Sequence, residues 1–338
     1  MKRFIKVLVF TGLCVLLSVI CSFALTSSSY LRVVLHEVND KDAGYNLVFL
    51  GQSRGESNIN PYVLDEVMDY RSYNLCRRKI REYDLPYLLK EANRNDQIEV
   101  CVLDVDHVYF SDMTPNYYND AYIFPHISGI KDRVEYFFRY VINADYRVLL
   151  MRYTIEGMDD LKLSVSRIHD KLSSQYRQYS MSAVTDMDED HVYVGRGYRK
   201  GIEYAENPTS GASWSRESID ERAIDSVKEL AEYCNDNGIR LIAIHAPVPH
   251  ERFSVDEHDD MRAYYTELFG RYGVEYLDYN YIDNKYLAWD SADFSDPEGH
   301  MMSNLADDYS RVLGLTVQKL IDGEDIETYF MDRPNMVE

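Results

Sequence analysis

A serine in a tight glycine turn directly after a buried strand is well placed to be a nucleophile, and Gly51-Gln52-Ser53-Arg54-Gly55 offers one. The apolar run Tyr45-Asn46-Leu47-Val48-Phe49-Leu50 before it reads as that strand. Such a turn is also ordinary chain punctuation, so chemistry at Ser53 needs a base. Asp293-Phe294-Ser295-Asp296-Pro297-Glu298-Gly299-His300 can supply one, on the loop between the last expected strand and the closing helix. An imidazole can take the serine proton, and a carboxylate can hold the imidazole in the right tautomer. In a parallel sheet this loop follows a strand's carboxyl end, the edge that also carries Ser53. His300 is the expected base, Asp296 the expected acid and Asp293 the reserve.

Other constellations are weaker. The turn also satisfies G-x-S-x-G, but an α/β-hydrolase elbow needs several strands before it, and only one precedes Ser53. Asp186-Met187-Asp188-Glu189-Asp190 has the spacing of a calcium loop, yet His191 stands where the turn glycine is needed. It reads as a solvated loop. Asp106-His107 has no third ligand nearby, and His245 and His250 flank the strand end at Pro247 as structural or rim residues. Trp214 and Trp289 could stack on sugars. Cys76, Cys101 and Cys234 show neither metal spacing nor a disulfide framework and read as small buried residues. No metal and no cofactor are expected.

The elements that would position these residues alternate between helix and strand. Arg71 to Leu75, Ile98 to Leu103, Leu241 to Ile244 and Val274 to Leu277 are the further strands. Helices are expected after Pro61, over 77–93, after a Ser218/Glu221 capping box, to Gly273, and from Ser303 to Leu320. Asn60 is the expected N-cap before Pro61. The alternation predicts an α/β fold, a three-layer α/β/α sandwich with a mostly parallel, flavodoxin-like sheet. A mainly helical insertion or cap spans 111–215, with helical faces at 134–141 and 159–179 and a polar loop over 186–211.

The basic start Met1 to Lys6 precedes about 19 uncharged residues, Val7 to Leu25, long enough for a hydrocarbon core. Residues 1–28 are therefore expected as a cytoplasmic end and transmembrane signal-anchor, single-pass, with the main domain extracytoplasmic. Signal cleavage near Ala24, giving a secreted protein, is the competing reading. Residues 29–44 are expected as linker, 45–322 as the domain and 323–338 as a loosely held acidic tail. A formal net charge of −21 argues against nucleic acid and against a polybasic hold on lipid.

The arrangement resembles the SGNH (GDSL-like) hydrolase superfamily, in its membrane-anchored branch of DltD-like, D-alanyl-lipoteichoic-acid biosynthesis proteins and alginate O-acetylation proteins. The resemblance covers about 45–320. Leu50 to Arg54 with Asn58-Ile59-Asn60-Pro61 looks like the first block, Tyr73-Asn74-Leu75 like the segment after the second strand, and Asp296 with His300 like the last block. Ala306, Tyr309 and Ser310 keep the family's helix register. The acid stands four residues before the histidine rather than three, and Asp104-Val105-Asp106-His107 replaces the G-x-N-D block. The resemblance implies Ser53 as nucleophile, Asn74 with the Ser53 amide at the oxyanion, and Gly51 and Arg54 beside the substrate. It implies an esterase or O-acyltransferase on acyl esters of a cell-surface polysaccharide or teichoic acid, working with an acyl donor and a membrane-bound O-acyltransferase. A non-catalytic partner with a degenerate pocket is the alternative.

Overall fold

The apolar runs expected as strands pair side by side in one direction. In the computed structural model they are β1 (Leu47–Leu50), β2 (Ser72–Asn74) and β3 (Val100–Asp104), then, after the hairpin β4 (His191–Gly195) and β5 (Tyr198–Gly201), β6 (Arg240–His245) and β7 (Glu275–Asp278). The five-stranded sheet is parallel, in the order β2-β1-β3-β6-β7. Every residue of β1 and β3 is buried, as both-face coverage of parallel strands requires. The structure describes residues 2–25, 28–78, 80–107, 110, 122–142, 158–185, 191–201 and 214–335.

Helices flank the sheet: α3 (Ser53–Asn58), α4 (Pro61–Leu64), α5 (Leu85–Ala92), α9 (Glu221–Asp236), α10 (Val255–Gly270) and α11 (Ser303–Ile321). They share a unit, Glu37–Thr114 with Glu189–Glu338. Its core joins Phe49, Val102 and Ile244 of the sheet to Tyr309 and Leu313 of α11. Asn60 caps α4 as expected, accepting the Tyr62 N–H at 3.1 Å, with Pro61 first in the helix.

The second unit, Met1–His36 with Pro115–Asp188, holds α1 (Lys2–Leu25), most of α2 (Tyr30–Val38), α6 (Ile130–Tyr136), α7 (Met158–Leu172) and α8 (Ser174–Arg177). Among the described residues α1 is the one helix long and apolar enough to cross a membrane, over Lys2–Cys21. Lys171 of α7 donates to the Phe23 carbonyl at 2.7 Å.

Several local expectations change. The linker 29–44 contains α2, with Tyr30, Val34 and Val38 buried. The helix expected over 77–93 starts at Leu85, after a 3-10 turn, because Arg77 and Arg81 are buried in polar contacts and Pro86 lies in the first turn. Asp220 caps α9 in place of Ser218, whose hydroxyl donates to the Ser215 carbonyl at 2.6 Å. The polar stretch 186–211 contains the β4–β5 hairpin, whose Arg196 carbonyl accepts the Asn74 N–H at 2.9 Å. Gly197 (φ +77°) sits so close that a Cβ there would lie 1.7 Å from the Asn74 carbonyl oxygen. The described part of the acidic tail, to Asn335, is held, with Asn335 bonding Asn280 at 2.6 Å and His250 Nδ1 at 2.7 Å. The acidic run 186–190 lies outside the described residues.

Candidate active site

The strand order puts the change of winding direction between β1 and β3, the crevice where open parallel sheets bind ligands. Both strands end there on polar turns. Gly51 and Gly55 let the chain pass close: a Cβ on Gly51 would lie 3.0 Å from Asp104 Cβ, and one on Gly55 would lie 2.5 Å from Cys76 Sγ. The result is a helix start wedged against the end of β3. Within residues 51–60 all are buried except Ser53, which is half-buried as the first residue of α3.

The loop carrying the histidine is docked on that same helix. Asn58 donates from Nδ2 to the Gly299 carbonyl at 2.8 Å and accepts the Met301 N–H at 2.8 Å. One side chain thus holds the residues on both sides of His300, about one and a half turns along α3 from Ser53. Ser310 of α11 locks the far end, accepting the Asn60 N–H at 2.8 Å and donating to the Asn58 carbonyl at 3.3 Å.

Asp296 is the acid. Its Oδ2 lies 2.6 Å from His300 Nδ1, while Oδ1 accepts the N–H groups of Glu298 at 2.9 Å, Gly299 at 3.1 Å and His300 at 3.3 Å. The four-residue step from Asp296 to His300 is spanned by this turn, with Gly299 at φ +99°. Burial pushes the His300 imidazole down, but the hydrogen bond and charge of Asp296, with Glu298 and Asp106, outweigh it and hold its pKa above the ordinary value. Burial likewise opposes Asp296, and His300 outweighs it, so this carboxyl lies below its ordinary value. Nδ1 is committed to Asp296, leaving Nε2 to exchange a proton. The reserve acid Asp293 is spent elsewhere: it accepts the Asp290 N–H at 2.9 Å and closes a 3-10 turn.

The oxyanion and substrate candidates are corrected. Asn74 is buried, and its two amide hydrogens go to the carbonyls of Gly55 at 2.7 Å and Ile59 at 2.8 Å, so it has no donor left. Gly51 is buried as a close-packing residue. Arg54 is 1% exposed, donating to the Val105 carbonyl at 2.8 Å, with its Nε 3.2 Å from Asp106 Oδ2. The Ser53 N–H, among the first amides of α3, is the remaining oxyanion donor of the expected set. Trp214 and Trp289 are also buried; Trp289 donates to the Val248 carbonyl at 3.0 Å and stacks on His250. Neither offers a face to a sugar.

Sequence reasoning missed two supports, Asn58 and the Arg54–Asp106 pair. Asn58-Ile59-Asn60-Pro61 carries two asparagines where one capping residue suffices, which was the available signal for the first. For metal, ligand atoms of Asp296, Glu298 and His300 lie within 4.8 Å of one another, the one such trio among the described residues. Two of its three members are the hydrogen-bonded Asp296–His300 pair described above.

A buried histidine group lies at the carboxyl ends of β3 and β6. His107 and His245 rings are 5.7 Å apart, Phe253 separates His107 from His258, and His245 Nδ1 lies 3.7 Å from Asp278 Oδ1. Burial, then the charges of Arg54, His245, Arg252 and His258, pushes His107 well down, and burial lowers His258 to about 4 against the pull of Asp278. A histidine lowered in the fold binds a proton more readily once unfolded, so its stabilising effect is complete above about 6.5 and is lost as pH falls towards 4. For His258 the loss is about 3 kcal/mol. The detergent-solubilised chain is expected to lose about that much more stability than a His258→Gln variant between pH 7 and pH 4. Equal losses in denaturant titrations of the two would overturn this assignment.

No protein-family model matches the chain, and a search of curated proteins finds no match.

Proposed function

We propose that this protein is a membrane-anchored, extracytoplasmic serine acyl-transfer enzyme of SGNH type, built on a three-layer flavodoxin-like sandwich. The observation that carries the reading is the accessible Ser53 on a helix whose Asn58 grips both neighbours of an Asp296-held His300. Ser53 Oγ attacks an acyl carbonyl while His300 Nε2 takes its proton, and the same proton passes to the departing alkoxide. A sugar hydroxyl or water then attacks the acyl-serine, giving its proton to Nε2, and Ser53 is restored. The substrate class is acyl esters of a cell-surface polysaccharide or teichoic acid, with an acyl donor and a membrane-bound O-acyltransferase as partners. The basic N-terminus lies in the cytoplasm, α1 crosses once, and the catalytic unit lies outside.

A fluorophosphonate probe tests this on the full-length protein in detergent. Labelling is expected at Ser53, climbing with pH through a midpoint above the ordinary histidine value because His300 must lose its proton first. A folded protein that stays unlabelled would sink the enzyme reading.

The second reading is a non-catalytic polymer- or acyltransferase-binding partner. The spent amide of Asn74 and the buried Arg54 favour it, because they leave the oxyanion a single backbone donor among the expected set. Retained polymer acylation in cells carrying Ser53→Ala would decide for it.

A further inference from the structure

The unit that carries α1 exposes a second apolar surface. Ile130, Val134, Phe138 and Ile142 recur every four residues, and Ile130 and Phe138 are 82% and 61% exposed. Other residues of the same stretch are already used inside the unit, where Tyr136 and Val141 are buried and Tyr136 packs on Phe124. Folding therefore does not account for the exposed row.

Its geometry is regular. On a plain α-helix a residue four positions on is rotated by about 40°, so four such residues would fan across about 120°. Here α6 runs into a π turn, Phe137–Val141, whose wider winding takes back part of that rotation and straightens the row. Exposed Lys131 and Arg139 lie on the same helical stretch, with Arg139 paired to Glu135 at 3.2 Å. An apolar row with basic residues on the same helix is the pattern of a helix lying in a membrane interface.

What covers the row is argued from its own unit. That unit holds α1, whose apolar window has none of its surface buried by protein. Lys171 ties α7 to the carbonyl of Phe23 near the end of α1, and Leu172 beside it is also exposed. We propose that α6 and its π turn lie on the outer face of the bilayer that α1 crosses, with Ile130, Val134, Phe138 and Ile142 set among the lipid at the headgroup boundary. This rests on α1 as a membrane anchor and is independent of any chemistry at Ser53. It gives the unit a second hold on the surface besides the span.

The test uses Phe138→Trp in the full chain, reconstituted in phosphatidylcholine–phosphatidylglycerol vesicles with or without acyl-chain bromination. The parent chain, whose Trp214 and Trp289 are buried, sets the background. The expected result is that brominated lipid lowers the emission of the introduced indole by about half, at unchanged melting temperature. Vesicles that carry the chain in flotation while that indole stays unquenched would overturn the interfacial placement. Shielding of the indole that appears only as protein density rises would assign the row to a second copy and equally overturn it. Failure to float would instead remove the anchor on which the proposal rests, and would leave the fluorophosphonate result untouched.

Discussion

Replacing Asp296 with asparagine is expected to slow fluorophosphonate labelling of Ser53 by about 10³- to 10⁴-fold, with the fold intact. Asparagine keeps an oxygen where Oδ1 receives the three loop N–H groups, so the turn that presents His300 survives. The change falls on Oδ2. An amide nitrogen there donates to Nδ1 instead of accepting from it, which moves the imidazole proton to Nε2 and removes the lone pair that must receive the serine proton. The variant also loses the charge that holds the His300 pKa up, so residual labelling should show its pH midpoint shifted downward. An unchanged rate would mean that Asp296 only shapes the loop. Asp293→Asn serves as the comparison and should leave labelling near the parent rate.

Glu56→Gln is expected to cost about 3–5 kcal/mol of stability, a drop in melting temperature on the order of 10 °C. Glu56 is buried in α3, three residues after Ser53, and its Oε1 meets Arg77 and, at 3.3 Å, Arg199. Burial works against the ionised carboxylate, but the two guanidiniums outweigh it and hold its pKa below the ordinary value. Neutralising it leaves two buried guanidiniums without the carboxylate between them, which costs far more than the pair contributes over an apolar filling. Replacing Glu56, Arg77 and Arg199 together by methionine should therefore be much milder than Glu56→Gln alone. Melting curves of the two variants decide it: a Glu56→Gln protein within a degree or two of the parent would assign the cluster no such role.

Much of the sheet was legible from the chain. β1, β3 and β6 are continuous apolar runs, and strands covered on both faces leave that mark whatever packs on them. The start of α4 was legible because capping is local chemistry: Asn60 needs only the next few amides and Pro61 only its fixed φ. Where local signals competed, the chain misled. Ser218/Glu221 matched a capping box, yet Asp220 two residues on offers a carboxylate to the same helix start and takes the place. The supposed linker 29–44 looked polar at its ends, while the residues that bury α2 lie between them.

At the site, amino-acid type and strand-end position alone marked Ser53, and the spacing to a loop carboxylate marked His300. These are local facts, fixed by a turn and the residues beside it. Which carboxylate reaches the imidazole depended on how the 293–302 loop folds, and that loop is shaped by hydrogen bonds to Asn58, more than 240 positions away in the chain. Asn74 and Arg54 looked available for the same reason. Their partners, the carbonyls of Gly55 and Ile59 and the carboxylate of Asp106, meet them only when β1, β2 and β3 lie side by side. Periodicity reports which face of an element is buried; it carries no record of which donor meets which acceptor across elements. The chain alone therefore determined the parallel sheet and a serine at its edge, and the tertiary structure decided that Asp296 serves His300 while Asn74 and Arg54 serve the fold.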